Sequence, residues 1–264
     1  MPELPDVEVF KDYVNSTALH KRIESVEIRS QKILKHITPR TFLRQLKSRR
    51  FVSSRRHGKF LFIELDGRTG WLGFHFGMTG FLRYFTDTKQ EPPHVRLLIR
   101  FTNGAHLAFD CQRLFGEVTF AEDDSAFIKE RKLGPDALNL GWGQFKDCLA
   151  GKKGVIKAVL MDQGVIAGLG NVYSDEILFQ AQIHPLAKLD TLKERSLRAI
   201  HKAMGSVLHT AIAARADPAR VPKSWLLPHR GKNAPCPRCG NPVERITLNR
   251  RSAYLCPHCQ QAAA

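Results

Sequence analysis

Residues 59–85 read KFLFIELDGRTGWLGFHFGMTGFLRYF. Apolar runs of strand length are separated by Asp66-Gly67 and then by the glycines of GMTG. An Asp-Gly pair between two such runs is a hairpin signal, because the tight turn needs residues that tolerate positive φ. The pattern continues outward on both sides. RIESVEIRS (22–30) alternates polar and apolar residues, and VRLLIRFTNGAHLAF (95–109) sets Asn103-Gly104 between two further apolar runs. From about Ile23 to Phe120 the chain therefore predicts a β-sandwich of roughly six to eight antiparallel strands.

The flanks have a different period. Residues 1–20 predict a short helix: Val7, Phe10 and Val14 recur at helical spacing, Pro5 suits a first turn, and Asp6 and Glu8 complement the positive helix end. After about residue 125, VIKAVLMDQ (155–163), NVYSDEILFQAQ (171–182) and LKERSLRAIHKAMGSVLHTAIAARA (192–216) are helical in pattern. ADPARVPKSWLLPHRGKNAP (216–235), with four prolines, reads as a linker or loop. The expected fold is α+β and multidomain, divided at 1–125, 126–220 and 221–264.

Lys and Arg number 41 against 25 Asp and Glu, a net charge of +16 on 264 residues. So basic a chain favours a polyanionic partner, because each cation set near a phosphate releases condensed counterions. The first thirty residues carry acids and bases throughout, unlike the apolar core of a signal peptide, and no uncharged run is long enough to span a bilayer. The expectation is an intracellular protein, cytoplasmic and nucleoid-associated, in which structural disulfides are disfavoured.

The six cysteines therefore need another reason. Cys236-Pro-Arg-Cys239 and Cys256-Pro-His-Cys259 are two C-x-x-C knuckles, the spacing of a tetrahedral structural zinc site. Four thiolates close the coordination sphere, so one Zn2+ would hold the segment VERITLNRRSAYL (243–255) as a hairpin bearing Arg245, Arg250 and Arg251. Such a hairpin suits phosphate. His258 is expected to face solvent or phosphate, and Cys111 and Cys148 to be small core residues.

Pro2 offers chemistry. Loss of Met1 would leave a secondary α-amine, and N-terminal amines titrate near 7.7–8.0, roughly two units or more below lysine. Such an amine can attack a sugar C1′ and form an iminium that acidifies the C2′ proton, with the neighbouring Glu3 as acid/base.

MPELPDVE, the HGK turn with Lys59, DQGVIAGLGNVYSDEILFQAQIHP and NRRSAYLCPHCQ together resemble the formamidopyrimidine-DNA glycosylase/endonuclease VIII family of base-excision repair enzymes. The resemblance touches every part of the chain in order. It implies a helix–two-turn–helix domain after the β-sandwich, a C-terminal zinc finger, and a monomer acting on double-stranded DNA with damaged bases or abasic sites. It implies that Pro2 is the Schiff-base nucleophile and Glu3 the acid/base, and that Lys59, Asn171 and Arg251 hold phosphate. Gly168 and Gly170 would let backbone approach phosphate, with Lys157 and His94 among the other DNA contacts. Met78, Arg113 and Phe115 would fill the gap left by an extruded nucleotide. Asp6 and Glu176 fall at auxiliary acidic positions.

The activity implied is excision of oxidised or ring-opened bases followed by β,δ-elimination. The alternatives are an abasic-site lyase with weak glycosylase activity, or a catalytically silent damaged-DNA-binding member. Two departures bear on substrate: residues 214–235 contain no counterpart of a long glycine-rich capping loop, and Leu114 stands where a second arginine is common. Both shift the expectation from 8-oxoguanine towards oxidised pyrimidines, ring-opened purines or abasic sites.

Overall fold

Both hairpins read from the sequence are formed. In the computed structural model, which describes residues 1–68 and 70–261, helix α1 (Leu4–Thr17) precedes strand β1 (Ile23–Ile28) and helix α2 (Pro39–Leu46). Then come β2 (Phe51–His57), β3 (Phe60–Leu65), β4 (Gly70–His75), β5 (Phe81–Phe85), β6 (Val95–Phe101), β7 (His106–Asp110) and β8 (Glu117–Ala121). These eight strands make two antiparallel four-stranded sheets, ordered β1-β6-β7-β5 and β2-β3-β4-β8. Gly67 (φ 75) turns β3 into β4, and Gly104 (φ 80) turns β6 into β7, conformations that cost a glycine little. Phe51, Leu61, Ile63, Leu72, Phe74, Leu97, Ile99, Leu107, Phe109 and Val118 are buried in one core.

The strand reading missed α2, which lies inside the segment expected to be all strand. Its start is locally encoded: Pro39 stands in the first turn and the Thr38 side chain accepts the Thr41 N–H. The expected boundary at residue 125 also falls inside a helix, α3 (Asp124–Glu130). Phe127 of α3 meets Phe60 and Phe62 edge-on, at 5.3 and 5.4 Å between ring centroids. Aromatic packing therefore carries the first unit, residues 1–2 and 6–131, past the expected limit.

The second unit comprises residues 3–5 and 132–264. It contains α4 (Trp142–Leu149), α5 (Ile156–Met161), α6 (Asn171–Gln180) and α7 (Glu194–Ala213), then the hairpin β9 (Glu244–Leu248) and β10 (Arg251–Leu255). Every residue of α6 from Tyr173 to Phe179 is buried, so this helix has no solvated face. The proline-bearing segment 216–235 is a loop, packed against the rest of the second unit rather than a free linker. Trp225 and Leu226 are buried, and Leu226 packs with Phe179, Val243 and the zinc-knuckle residues Cys236 and Cys256. Among the described residues no helix is long and apolar enough to cross a membrane.

Candidate active site and phosphate clamp

The first element of the site is the N-terminus of α6. The Glu3 carboxylate accepts N–H donors from Gly170 (2.8 Å), Val172 (2.8 Å) and Tyr173 (3.3 Å). It is 1% exposed and takes the place of a capping side chain at this helix. The two glycines of GLGN explain the fit. A Cβ on Gly170 would run into the Glu3 carboxyl group, and a Cβ on Gly168 (φ +114) would sit 2.5 Å from Leu4 Cδ1. Leu4 N–H in turn donates to the Gly168 carbonyl at 3.1 Å.

This corrects the expected use of the loop. The Gly170 N–H is committed to Glu3 and the Gly168 N–H to Gln163 Oε1 at 3.0 Å. The missing Cβ atoms of the two glycines therefore make room for Glu3 and Leu4, and neither glycine N–H is left for phosphate in this structure.

The second element joins α6 to the finger hairpin. Asn171 Nδ2 donates to the Ser252 carbonyl at 2.8 Å, and Asp175 Oδ2 accepts the Tyr254 N–H at 3.2 Å. The spacing is matched: four helical residues rise about 6 Å and two strand residues about 6.6 Å. Two stitches four apart on α6 thus hold alternate residues of β10. Asp175 also binds the Lys157 ammonium and the Arg230 guanidinium (2.7 Å), and Arg230 lies over the Tyr254 ring at 4.8 Å.

Sequence reading passed over Asp175 and Arg230. The adjacent acids Asp175 and Glu176 ahead of the apolar run Ile177–Phe179 were the available signal, since a buried carboxylate demands partners. Lys157 is 1% exposed. Burial pushes its ammonium down, with Asp175 opposing that shift.

The stitches place Arg251, the residue before Ser252, on a cavity of about 230 Å³ also lined by Lys157, Asn171, Leu248 and Asn249. Arg251 is exposed, and Asn171 Oδ1 is buried with no partner among the described residues. Asn249 (φ 48) and Arg250 (φ 62) both have positive φ, the backbone of a type I′ hairpin turn. The Arg251 guanidinium can bind an anion in this cavity, whose lining also includes the acid Asp162; Asn171 Oδ1 is an acceptor, so only the second N–H of its Nδ2 is left to join it.

Glu176, expected as an auxiliary acid, serves the fold. Its carboxylate accepts the Leu227 N–H (2.8 Å) and the Gln180 amide (2.7 Å), and burial pushes its pKa up to about 7. A carboxyl raised from 4.5 contributes stability that is complete below pH 4.5 and lost as pH rises through 7, on the order of 3 kcal/mol. Glu176→Gln, with Gln180 turning its amide to match, is expected to abolish this loss. Thermal unfolding at pH 5 and pH 8 checks it: the wild type should lose more stability between them than the variant.

In the first unit, Lys59 is half-buried on the turn between β2 and β3. Beside it His75 is driven down to about 4, by burial first and then by the charges of Lys59 and Arg131. The neutral ring packs on Phe60 (4.9 Å) and its Nδ1 accepts the Gly77 N–H at 3.3 Å, so it orders the turn bearing Met78. Met78 is 40% and Phe115 58% exposed, so neither is a core residue. Their loops touch: Arg113 N–H donates to Thr79 Oγ1 at 3.2 Å, and the Arg113 guanidinium covers the Phe115 ring at 5.2 Å.

Leu114 between them has φ 56 and packs partly on the core, and Gly116 N–H donates to the buried Cys111 thiol at 3.3 Å. His94 is half-buried, its N–H held by Asp110 at 2.7 Å. Asp6 and Pro2 are half-buried.

The four knuckle cysteines bring their sulfurs within 4.8 Å of one another, with Cys236–Cys259 at 3.9 Å and Cys239–Cys256 at 3.5 Å. A tetrahedron with Zn–S of 2.3 Å has edges of about 3.8 Å, so the donors fit zinc. Cys236, Cys239, Cys256 and Cys259 hold one structural Zn2+. His258 is exposed, outside the donor set.

Comparison with known proteins agrees with this geometry. The formamidopyrimidine-DNA glycosylase N-terminal domain model matches residues 1–118, the H2TH domain model 133–222, and that of a zinc finger found in FPG and IleRS 234–262. Formamidopyrimidine-DNA glycosylase of Protochlamydia amoebophila is 32% identical across 99% of this chain and 100% of its own length. That of Ureaplasma parvum is 34% identical across 98% and 100%.

Among solved structures, Lactococcus lactis Fpg bound to abasic-site DNA superposes with a TM-score of 0.88 at 26% identity, covering 98% of this chain and all of that one. The same enzyme with N7-benzyl-Fapy-dG DNA gives 0.90 at 25% identity, with the same coverage. Family models in order along the chain, relatives matched end to end, and a shared three-dimensional fold lead to one conclusion: the chain belongs to the formamidopyrimidine-DNA glycosylase family.

Proposed function

We propose that this DNA glycosylase is bifunctional, excising oxidised or ring-opened bases from duplex DNA and then cleaving the strand through a Schiff base on Pro2. The observation that carries this reading is the carboxylate of Glu3. Directly after Pro2 in the chain, it is held by three N–H groups at the N-terminus of α6, those of the capping residue Gly170 and of Val172 and Tyr173, so the acid/base is oriented before substrate arrives.

With Met1 removed, the Pro2 nitrogen attacks C1′ and the bond from C1′ to the base breaks, the base leaving with that electron pair and gaining a proton. Loss of the proline N–H proton and opening of the sugar give an iminium. This withdraws electrons from C2′, whose proton is then lost as the 3′ phosphate departs. A second proton loss expels the 5′ phosphate. Glu3 carries protons to and from the sugar in these steps. Lys59, Asn171 and Arg251 bind phosphates near the lesion, and Met78, Arg113 and Phe115 occupy the vacated stack.

The segment 216–235 is tied down by Trp225, Leu226 and Arg230. This supports a preference for ring-opened purines, oxidised pyrimidines and abasic sites over 8-oxoguanine. The enzyme works as a monomer.

Borohydride should trap a covalent adduct between the native protein and abasic-site DNA, with the N-terminal peptide, lacking Met1, as the attachment point. An adduct on a lysine would move the nucleophile away from Pro2, and no adduct at all would sink the lyase reading and leave DNA binding alone.

A further inference from the structure

The segment from residue 28 to 63 holds eleven Lys and Arg and no Asp or Glu. Nothing in the site above uses most of them. Their placement on the fold is not random. Helix α2 buries Phe42 and Leu46 and exposes Arg40, Arg44 and, at its C-cap, Lys47. At 100° per residue, Arg44 lies about 40° and Lys47 about 20° from Arg40 around the helix axis, while Phe42 and Leu46 project from the far side. The three cations form one ridge about 10 Å long.

Three residues beyond Lys47 the chain reaches a further pair of cations. Arg50 is the antiparallel bridge partner of Arg22, and both are exposed. Like charges directly opposed across strands destabilise a sheet, so this pair costs the isolated protein stability.

Arginines nearby in the sequence are treated differently. Arg29 pairs with Glu27 and Glu91, Arg55 with Asp124 at 3.5 Å, and Arg56 with Glu8 at 2.6 Å. Arg22, Arg40, Arg44, Lys47 and Arg50 make no ion pair among the described residues. The acid Asp66 takes the backbone N–H of Arg50 at 3.0 Å.

We infer that this face, formed by α2 and the Arg22–Arg50 bridge, is a second DNA-contacting surface that grips the phosphate backbone of undamaged duplex. Five unpaired cations without a shape-specific pocket suit a regular array of phosphates. The 10 Å ridge matches the axial length of about three nucleotides at 3.4 Å each. Backbone binding of this kind carries no sequence information and is electrostatic, which lets a protein move along DNA between lesions. The surface is independent of Pro2 and of the phosphate clamp on α6.

The triple variant R40Q/R44Q/K47Q keeps good helix formers and removes three charges. Its affinity for an undamaged duplex should fall at least tenfold at physiological salt. The slope of log K against log salt should become shallower by about 2 to 3, at roughly 0.9 for each phosphate no longer neutralised. Single-turnover excision of a lesion at saturating enzyme should be unchanged, which separates this surface from the catalytic site. R22Q/R50Q, on different elements, should lower the slope by a further 1 to 2, on the same scale of about 0.9 per phosphate, and should raise the melting temperature. Slopes unchanged in both variants would overturn the inference. So would a wild-type affinity for phosphatidylglycerol vesicles that the triple variant loses while its DNA slope holds, since that would make the surface lipid-facing.

Discussion

Gly170→Ala will cost this enzyme at least 100-fold in single-turnover excision and on the order of 3 kcal/mol of stability. The substitution adds one methyl group where the Glu3 carboxyl group already stands, closer than the 3.0 Å that Cβ atoms keep from other heavy atoms. Gly170 has an extended backbone (φ −129), so the cost comes from the collision and not from an unfavourable conformation. Either Glu3 moves away or the start of α6 does. In both cases the N–H groups of Gly170, Val172 and Tyr173 lose a charged acceptor, at roughly 1.5–3 kcal/mol for such a bond.

The displaced carboxylate follows Pro2 in the chain, so nucleophile and acid/base lose their alignment together. Gly205→Ala is the control. It lies within α7 with nothing within 4 Å of its missing Cβ, so alanine there should be neutral or stabilising by about 0.5–1 kcal/mol. Activity of Gly170→Ala within twofold of wild type would show that the Glu3 clasp is not part of the reaction.

Removing zinc should have the second large effect. One Zn2+ per chain is expected by elemental analysis. Its chelation should weaken binding to abasic-site DNA at least 100-fold, reversibly on adding zinc back. The reason lies in how little else holds the finger. A two-stranded hairpin is marginal in water by itself, and the buried cluster behind it is small: Phe179, Leu226, Val243 and two of the metal ligands. Zinc–thiolate binding is worth about 10 kcal/mol or more in modules of this kind.

Without it, β9 and β10 separate and the register that brings Ser252 to Asn171 and Tyr254 to Asp175 is lost. Arg251 then leaves the cavity. Cys256→Ala should behave like the chelated protein without any chelator, and its circular dichroism should keep the α-helical signal of α4 to α7. Unchanged DNA affinity after verified zinc loss would refute the clamp.

How far the chain could be read before its structure depended on the range of each interaction. Local signals were reliable. Asp66-Gly67 and Asn103-Gly104 turned where expected, Pro5 lies in the first turn of α1, and the C-x-x-C pairs converged. Helix α2 escaped notice although Thr38-Pro39 marks its start and Phe42 and Leu46 stand four apart on its buried face, because its eight residues make only about two turns inside a strand-rich region. The segment 216–235 is a loop, as one of its two readings had it, but its packing was not legible. Prolines and polar residues look like a linker, and only the tertiary partners of Trp225, Leu226 and Arg230 turn it into part of the core.

The sequence by itself determined the layout: strands, then helices, then a four-cysteine knuckle, with Pro2-Glu3 at the head and a net positive charge throughout. These features depend on spacing, turn chemistry and metal-ligand identity, which are local along the chain. Tertiary structure alone decided what the polar residues of α6 are for. Glu3 meets Gly170 across 167 residues and Asp175 meets Tyr254 across 79. Nothing in the neighbouring sequence encodes such partners; they follow from burying carboxylates where each must find donors or forfeit the free energy of its lost hydration.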